Sequence, residues 1–170
     1  MNNLSFERGR KNTNNNLKPL FNGQRNIVNS ILSNTSRGGV NPGYFNNAFN
    51  KNPIQYAILN NNATIYGLAL GRNLKNGETR YINVIGTRQG FGARLMKEIK
   101  NNTVKNGKHY IKLSSVPGAA GFYKKQGFKN NKTASMQGLI PMVYSIEPLL
   151  FKVKRLYKVK PLKRRSTRTR

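Results

Sequence analysis

The sequence predicts one α/β (α+β) domain, built on a mixed, mostly antiparallel central sheet flanked by helices. Three observations carry that expectation. The chain has 170 residues, room for a single domain. Two β-prone apolar runs, 54–59 and 64–70, are separated by three asparagines, and Asn76-Gly77 marks a second tight turn before a third run, so the strands follow one another through hairpins. After Gly90 the apolar spacing changes to every fourth residue, the period of a helix.

The elements follow in order. Residues 1–19 are Asn-rich and basic with few apolar side chains, and read as a flexible arm. In 20–32, Ile27, Val28, Ile31 and Leu32 sit at helical spacing, and Arg37-Gly38-Gly39 is the break signal that stops the helix. Residues 41–53 read as a loop or a short helix around 44–49. Strands are expected at 54–59, 64–70 and 81–85. Phe91, Leu95 and Ile99 then define an amphipathic helix that ends at Asn106-Gly107. Residues 110–113 form a further strand, and 117–126 a short helix opened by Pro117 and stopped by Gly127. Residues 139–146 form the last strand, pairing with the segment from Phe128 onward. The folded domain is therefore 20–148, between the arm and a basic tail at 149–170.

Composition removes whole classes of chemistry. All four acids are glutamates (Glu7, Glu78, Glu98, Glu147), there is no Asp or Cys, and His109 is the one histidine. No disulfide framework, cysteine nucleophile or Cys/His zinc site can be built, so no metal is expected. A carboxylate pair for metal binding or glycoside hydrolysis is equally ill supplied. What remains is chemistry run by backbone groups, hydroxyls and cations. His109 opens a strand and reads as exposed, and Glu78 as a solvated turn residue.

The same imbalance points to partners. Thirty-one Lys and Arg give a net charge of +27, against the roughly 2–8 charges that suffice to keep a small domain soluble. Such a surface attracts polyanions, nucleic acid foremost. Ten of the cations lie in the acid-free stretch 152–170: Lys152, Lys154, Arg155, Lys158, Lys160, Lys163, Arg164, Arg165, Arg168 and Arg170. A block of like charges of this kind serves as an interaction tail, here for nucleic acid or another anionic assembly. The first eleven residues lack the apolar core of a signal peptide, and the apolar stretch 139–151 is broken by Ser145, Glu147 and two prolines. The expectation is an intracellular, soluble protein with no membrane partner. Its Asn/Lys-rich composition suggests an AT-rich genome, of which large DNA viruses are one source.

The segment 81–128 carries the site. A strand passes through Thr87-Arg88-Gln89-Gly90-Phe91-Gly92 into a helix. Unbonded N–H groups and the positive dipole end make such a helix start an anion cradle, while Gly90 and Gly92 permit close backbone approach and Arg88 can add a phosphate contact. A tight structural turn is the plain alternative. The Gly-Lys-Ser/Thr of a P-loop is missing, and so is the longer dinucleotide pattern. Beginning at Gly118, GAAGFYKKQGF opens a second helix with small residues, places Phe122-Tyr123 one turn later and stops at Gly127-Phe128.

Gly90-Phe91-Gly92 and, some thirty residues on, Phe122-Tyr123-Lys124-Lys125-Gln126-Gly127-Phe128 together resemble the GCN5-related N-acetyltransferase (GNAT) superfamily in order, spacing and context. The order of elements from about residue 20 to 147 also fits. The resemblance implies a GNAT-like acyl-CoA N-acyltransferase fold with acetyl-CoA as co-substrate. It places the pyrophosphate on Arg88, Gln89, Gly90, Phe91, Gly92 and Ala93. It runs the pantetheine arm between Asn83, Val84 and Ile85 on one strand and Ser114 on the next, with Phe122 and Lys125 as further contacts. Tyr123 matches the family tyrosine that protonates the departing thiolate; packing its helix is its structural alternative. The sequence departs from the family pattern in three places: Thr87 fills the first Arg/Gln slot of the turn, the loop before Gly90 is short, and Val116 stands where many members have Asn. No carboxylate lies on 79–85, so Asn83, Tyr81 or Ser114 would hold a water that takes the amine proton.

Two functions are thus open. One is acetyl transfer from acetyl-CoA to an unidentified amine, with the basic tail as anchor. Scarce acids disfavour a polyamine acceptor and favour a neutral amine, or one carried on a polyanionic assembly. The other is a non-catalytic nucleic-acid-binding or structural protein of a ribonucleoprotein, nucleoid or virion that retains the fold.

Overall fold

The strands are short and the helices amphipathic, and they close around one sheet with a core on each face. The structure, a computed structural model, describes residues 4–10, 17–33, 40–132 and 138–146. Among them the order is β1 (Ser5–Arg10), α1 (Lys18–Gly23), α2 (Arg25–Ser33), α3 (Pro42–Lys51), β2 (Ile54–Leu59), β3 (Ile65–Asn73), β4 (Thr79–Thr87), α4 (Gly92–Lys105), β5 (Tyr110–Ser115), α5 (Pro117–Lys125), β6 (Lys129–Asn130) and β7 (Ile140–Ser145). The strands form one sheet in the order β1-β2-β3-β4-β5-β7-β6. Every pairing is antiparallel except β4 with β5, which α4 connects as a crossover. Leu95, Met96 and Ile99 of α4 and Tyr123 of α5 pack on one face of the sheet, with Tyr56, Ala69, Ile82 and Ile111. Phe21, Val28, Ile31, Leu32, Phe45 and Phe49 of α1–α3 cover the other, on Ala57, Leu68, Leu70 and Val84. This is the predicted fold class.

Three expectations change. The first residues are not a flexible arm throughout: 5–10 form an edge strand on β2. Backbone pairing, not apolar content, makes this strand. Its alternation turns Phe6 and Arg8 toward α4, where Phe6 stacks on Tyr56 with centroids 5.8 Å apart. The single helix expected over 20–32 is two, broken at Gln24. That side chain donates to the Ala63 carbonyl (2.9 Å) and accepts the Ile65 N–H (3.0 Å), tying the break to the β2–β3 turn. Residues 42–51 are a full helix, because Asn41 caps the Gly43 and Tyr44 N–H groups and Pro42 occupies the first turn. The Arg37-Gly38-Gly39 break and the tail lie outside the described residues.

Candidate active site

The site begins with one extra residue in β4. Gly71 faces Ile82 and the next β3 residue back, Leu70, faces Val84, so Asn83 is a bulge. The extra residue reverses the alternation: Ile82 enters the core under α4, Val84 the core under α1–α3. The parallel β4–β5 pairing ends at the same level, at Ile82↔Leu113, although β4 continues to Thr87 and β5 to Ser115. Past this point the two strands part around a cavity of about 660 Å³. That volume lies in the range of small-molecule sites. Asn83, Val84 and Ile85 line one wall, Ser114 and Ser115 the other. The Asn83 Oδ1 is buried and has no hydrogen-bond partner.

The mouth of the cavity is the start of α4. Gly90 has φ +85°, a left-handed conformation that needs glycine. At Gly92 a Cβ would lie 3.2 Å from both Cε2 and Cζ of Phe122 and 3.5 Å from Thr87 Oγ1, so any side chain there presses on the Phe122 ring where α4 meets α5. Phe91 occupies the cap position with no side-chain hydrogen bond, and the first turn holds no acid. The first N–H groups and the dipole therefore face the mouth without a protein anion to satisfy them. The Arg88 guanidinium stands 4.6 Å over the Tyr66 ring, and its backbone N–H donates to the Tyr66 carbonyl (2.9 Å). These groups fit a phosphate ester.

Tyr123 borders the cavity from α5. It is 7% exposed, its ring against Phe122 and Phe128 at 5.1 and 5.8 Å between centroids. Burial raises the phenol pKa above its ordinary value, so the group holds its proton. The helix is stopped where the sequence predicts: Gly127 has φ +83°, and the Phe128 N–H donates to the Tyr123 carbonyl (3.0 Å).

Asn83, Val84, Ile85, Arg88, Gln89, Gly90, Gly92, Ala93, Ser114, Phe122 and Tyr123 all line this one cavity. Phe91 and Lys125 do not: the Phe91 ring packs edge-on against Tyr66 at 5.0 Å, and Lys125 is exposed in the last turn of α5. Tyr81 is also outside the lining, but its hydroxyl is 2.9 Å from Ser114 Oγ. Val40, Ile82, Gly86, Thr87, Leu113, Ser115, Val116 and Ala119 complete the wall without having been singled out as contacts. No described Glu or His lines it. Glu78 and the exposed His109 are joined through backbone (Glu78 carbonyl to His109 N–H, 2.8 Å) at the opposite end of β4 and β5. Glu147 is outside the described residues. The ten tail cations are too. Among the described residues no three His, Cys, Asp or Glu cluster, and no helix is long and apolar enough to cross a membrane.

A sheet parted beside a bulge, an uncapped glycine-rich helix start at its mouth and a buried tyrosine within reach define the class of acyl-CoA N-acyltransferases. Residues 39–144 match the family described as acetyltransferase (GNAT) domain. The chain belongs to the GNAT family. Among solved structures, it is similar to Tetrahymena GCN5, at 22% identity and TM-score 0.67 over 85% of this chain and 97% of that one. The catalytic domain of the Tetrahymena GCN5 histone acetyltransferase, in complex with coenzyme A, aligns at 21% identity and TM-score 0.63, covering 86% and 95%. An acetyltransferase of the GNAT family from Staphylococcus aureus Mu50 aligns at 13% identity and TM-score 0.62, covering 84% and 100%. Among curated proteins, none matches the sequence.

Proposed function

We propose that the protein transfers an acetyl group from acetyl-CoA directly to an amine held in the cavity between β4 and β5. One observation carries the reading: freed strand edges, the uncapped start of α4 and Tyr123 meet in a single cavity. The N–H groups of Gln89, Gly90, Gly92 and Ala93 hold the pyrophosphate, with the Arg88 guanidinium beside them, while the Arg88 and Phe91 N–H groups are already given to the Tyr66 and Arg88 carbonyls. The edges at Asn83–Ile85 and Ser114 take the amide groups of the pantetheine arm much as a sheet edge takes an added strand. As the amine nitrogen bonds to the acetyl carbon and the carbon–sulfur bond breaks, Tyr123 gives its proton to the departing thiolate. A water held by Asn83 or Ser114 accepts the proton that the amine loses.

Among the described residues, Arg88 is the only charged one lining the cavity, which supports a neutral amine, or one presented on a polyanion, over a free polyamine. The ten cations of 152–170 anchor the enzyme to nucleic acid or another anionic assembly. A second reading, a nucleic-acid-binding or virion protein that retains the fold without turnover, draws its support from the net charge of +27. Thermal unfolding with acetyl-CoA, beside CoA and ADP, separates the two. The enzyme requires a saturable stabilisation that Gly92→Val abolishes. No shift at millimolar acetyl-CoA rejects it.

A further inference from the structure

Helices α1–α3 cover only part of their side of the sheet. Among the described residues, the core beneath them takes side chains from β2, β3 and Val84 of β4, and none from β5, β6 or β7. On β5 the alternation is regular: Ile111, Leu113 and Ser115 are buried, while Tyr110, Lys112 and Ser114 turn to the open side. The register carries that side across the strands. Lys112 faces Tyr81 on β4 and Val143 on β7; Tyr81 faces Arg72 on β3, and Val143 faces Lys129 on β6. One row, Arg72-Tyr81-Lys112-Val143-Lys129, therefore crosses five strands on one open face.

Cations and apolar or aromatic groups alternate along the row. Arg72 and Lys129 are exposed, and Tyr81, Lys112 and Val143 are partly so. The Arg72 guanidinium stands 5.7 Å from the Tyr81 ring centroid, and the Tyr81 hydroxyl is 2.9 Å from Ser114 Oγ, so the ring is held in place on the sheet. Tyr110, 38% exposed, is its diagonal neighbour, one strand over and two residues before Lys112. Strand spacing and rise put the two tyrosines roughly 8 Å apart between Cα atoms. No strand from β3 to β7 contains an acid. The chain's own tail is not the complement of this face. The described chain ends at Ile146, whose N–H donates to the His109 carbonyl (2.8 Å) next to Tyr110, and ten cations with no acid follow over 152–170. Like charge opposes laying them on a cationic surface, and both attract the same polyanion.

We propose that the open face of β4, β5, β7 and β6 binds single-stranded nucleic acid, with bases stacked on Tyr81 and Tyr110 and phosphates on Arg72, Lys112 and Lys129. Stacking on a side chain needs an unpaired base, so a duplex gains only the charge from this face. An acidic peptide meets the cations without a flat group for each ring. The surface is independent of acetyl transfer: Tyr110 pairs with Thr79, at the end of β4 opposite the start of α4, roughly 25 Å away by strand rise.

Fluorescence anisotropy of a short labelled oligothymidylate, titrated with the full chain at physiological salt, tests the face. Tyr81→Leu and Tyr110→Ala keep the net charge, so the tail and the start of α4 attract the oligonucleotide as they do in the wild type. Each variant is expected to weaken binding about tenfold and to leave binding of the corresponding duplex unchanged. Tyr44→Ala, which removes a more exposed tyrosine from α3, is expected to have no effect. Photo-crosslinking of an iodouracil oligonucleotide to the wild type reads the contact without any variant, and crosslinks at Tyr81 or Tyr110 are expected. The proposal is overturned if either variant binds the oligonucleotide as tightly as the wild type, or if Tyr44→Ala weakens binding as much. It is also overturned if crosslinks fall only on 152–170 or the start of α4, or if polyglutamate of equal charge binds as tightly and responds to the same two variants.

Discussion

Tyr123 combines burial with a place on the cavity wall, and in the proposed reaction the two serve the same end. A phenol whose pKa is raised by burial keeps its proton across the range in which amines attack a thioester. Tyr123→Phe is therefore expected to lower kcat by about 10²-fold, the low end for general acid catalysis, with the KM for acetyl-CoA little changed. Equal kcat values would assign the ring to packing alone. At Gly92 the cost is steric. A valine there meets Phe122, so Gly92→Val is expected to cost about 1–3 kcal/mol of stability by overpacking and to abolish the acetyl-CoA-dependent rise in melting temperature. Both residues were legible in the sequence, Gly92 from the turn that opens a helix and Tyr123 from the resemblance of Phe122–Phe128 to the family pattern. Arg80 was not. An arginine in a basic chain reads as surface, and only its hydrogen bonds to Tyr56, Asn73 and Asn102 reveal that it is fully buried.

The start of α4 makes opposite demands on stability and binding. Its first turn lacks an acid, which leaves the dipole and N–H groups open to an anion at some expense to the helix. Ala93 is exposed there. Ala93→Glu is expected to raise stability by about 0.3–1 kcal/mol while weakening acetyl-CoA binding, since the new carboxylate competes for the same groups. Calorimetric titration beside thermal unfolding reads both signs; a variant that binds acetyl-CoA as tightly as the wild type would remove α4 from the site. Strands β2, β3 and β4 and helices α4 and α5 were visible from periodicity and from stop signals at Gly107 and Gly127. Strand β1 was not, because Ser5–Arg10 alternates with only one apolar side chain and depends on pairing with β2. The bulge at Asn83 was equally hidden. Its position is set by which β3 residues face Ile82 and Val84, a long-range matter that no local pattern encodes.

Over the whole molecule, the inventory of bases limits the chemistry. Four glutamates and one histidine are all the chain possesses, and none of those described lines the cavity. The alkaline rise of kcat/KM is therefore expected to follow the acceptor, with a midpoint of about 7.7–8.0 for a peptide α-amine and about 10.4 for a lysine side chain. A midpoint independent of the acceptor would mean that an enzyme group takes the proton. Charge acts at the same scale. Removal of 152–170 is expected to weaken nucleic-acid binding and flatten its salt dependence, because fewer counterions are released. The central claim is acetyl transfer within the β4–β5 cavity. Its most direct test is CoA thiol release from acetyl-CoA with a peptide α-amine acceptor, for wild type and Tyr123→Phe side by side. The account predicts acceptor-dependent release above the uncatalysed rate in the wild type and about 10²-fold less in the variant; equal rates in the two proteins would contradict it.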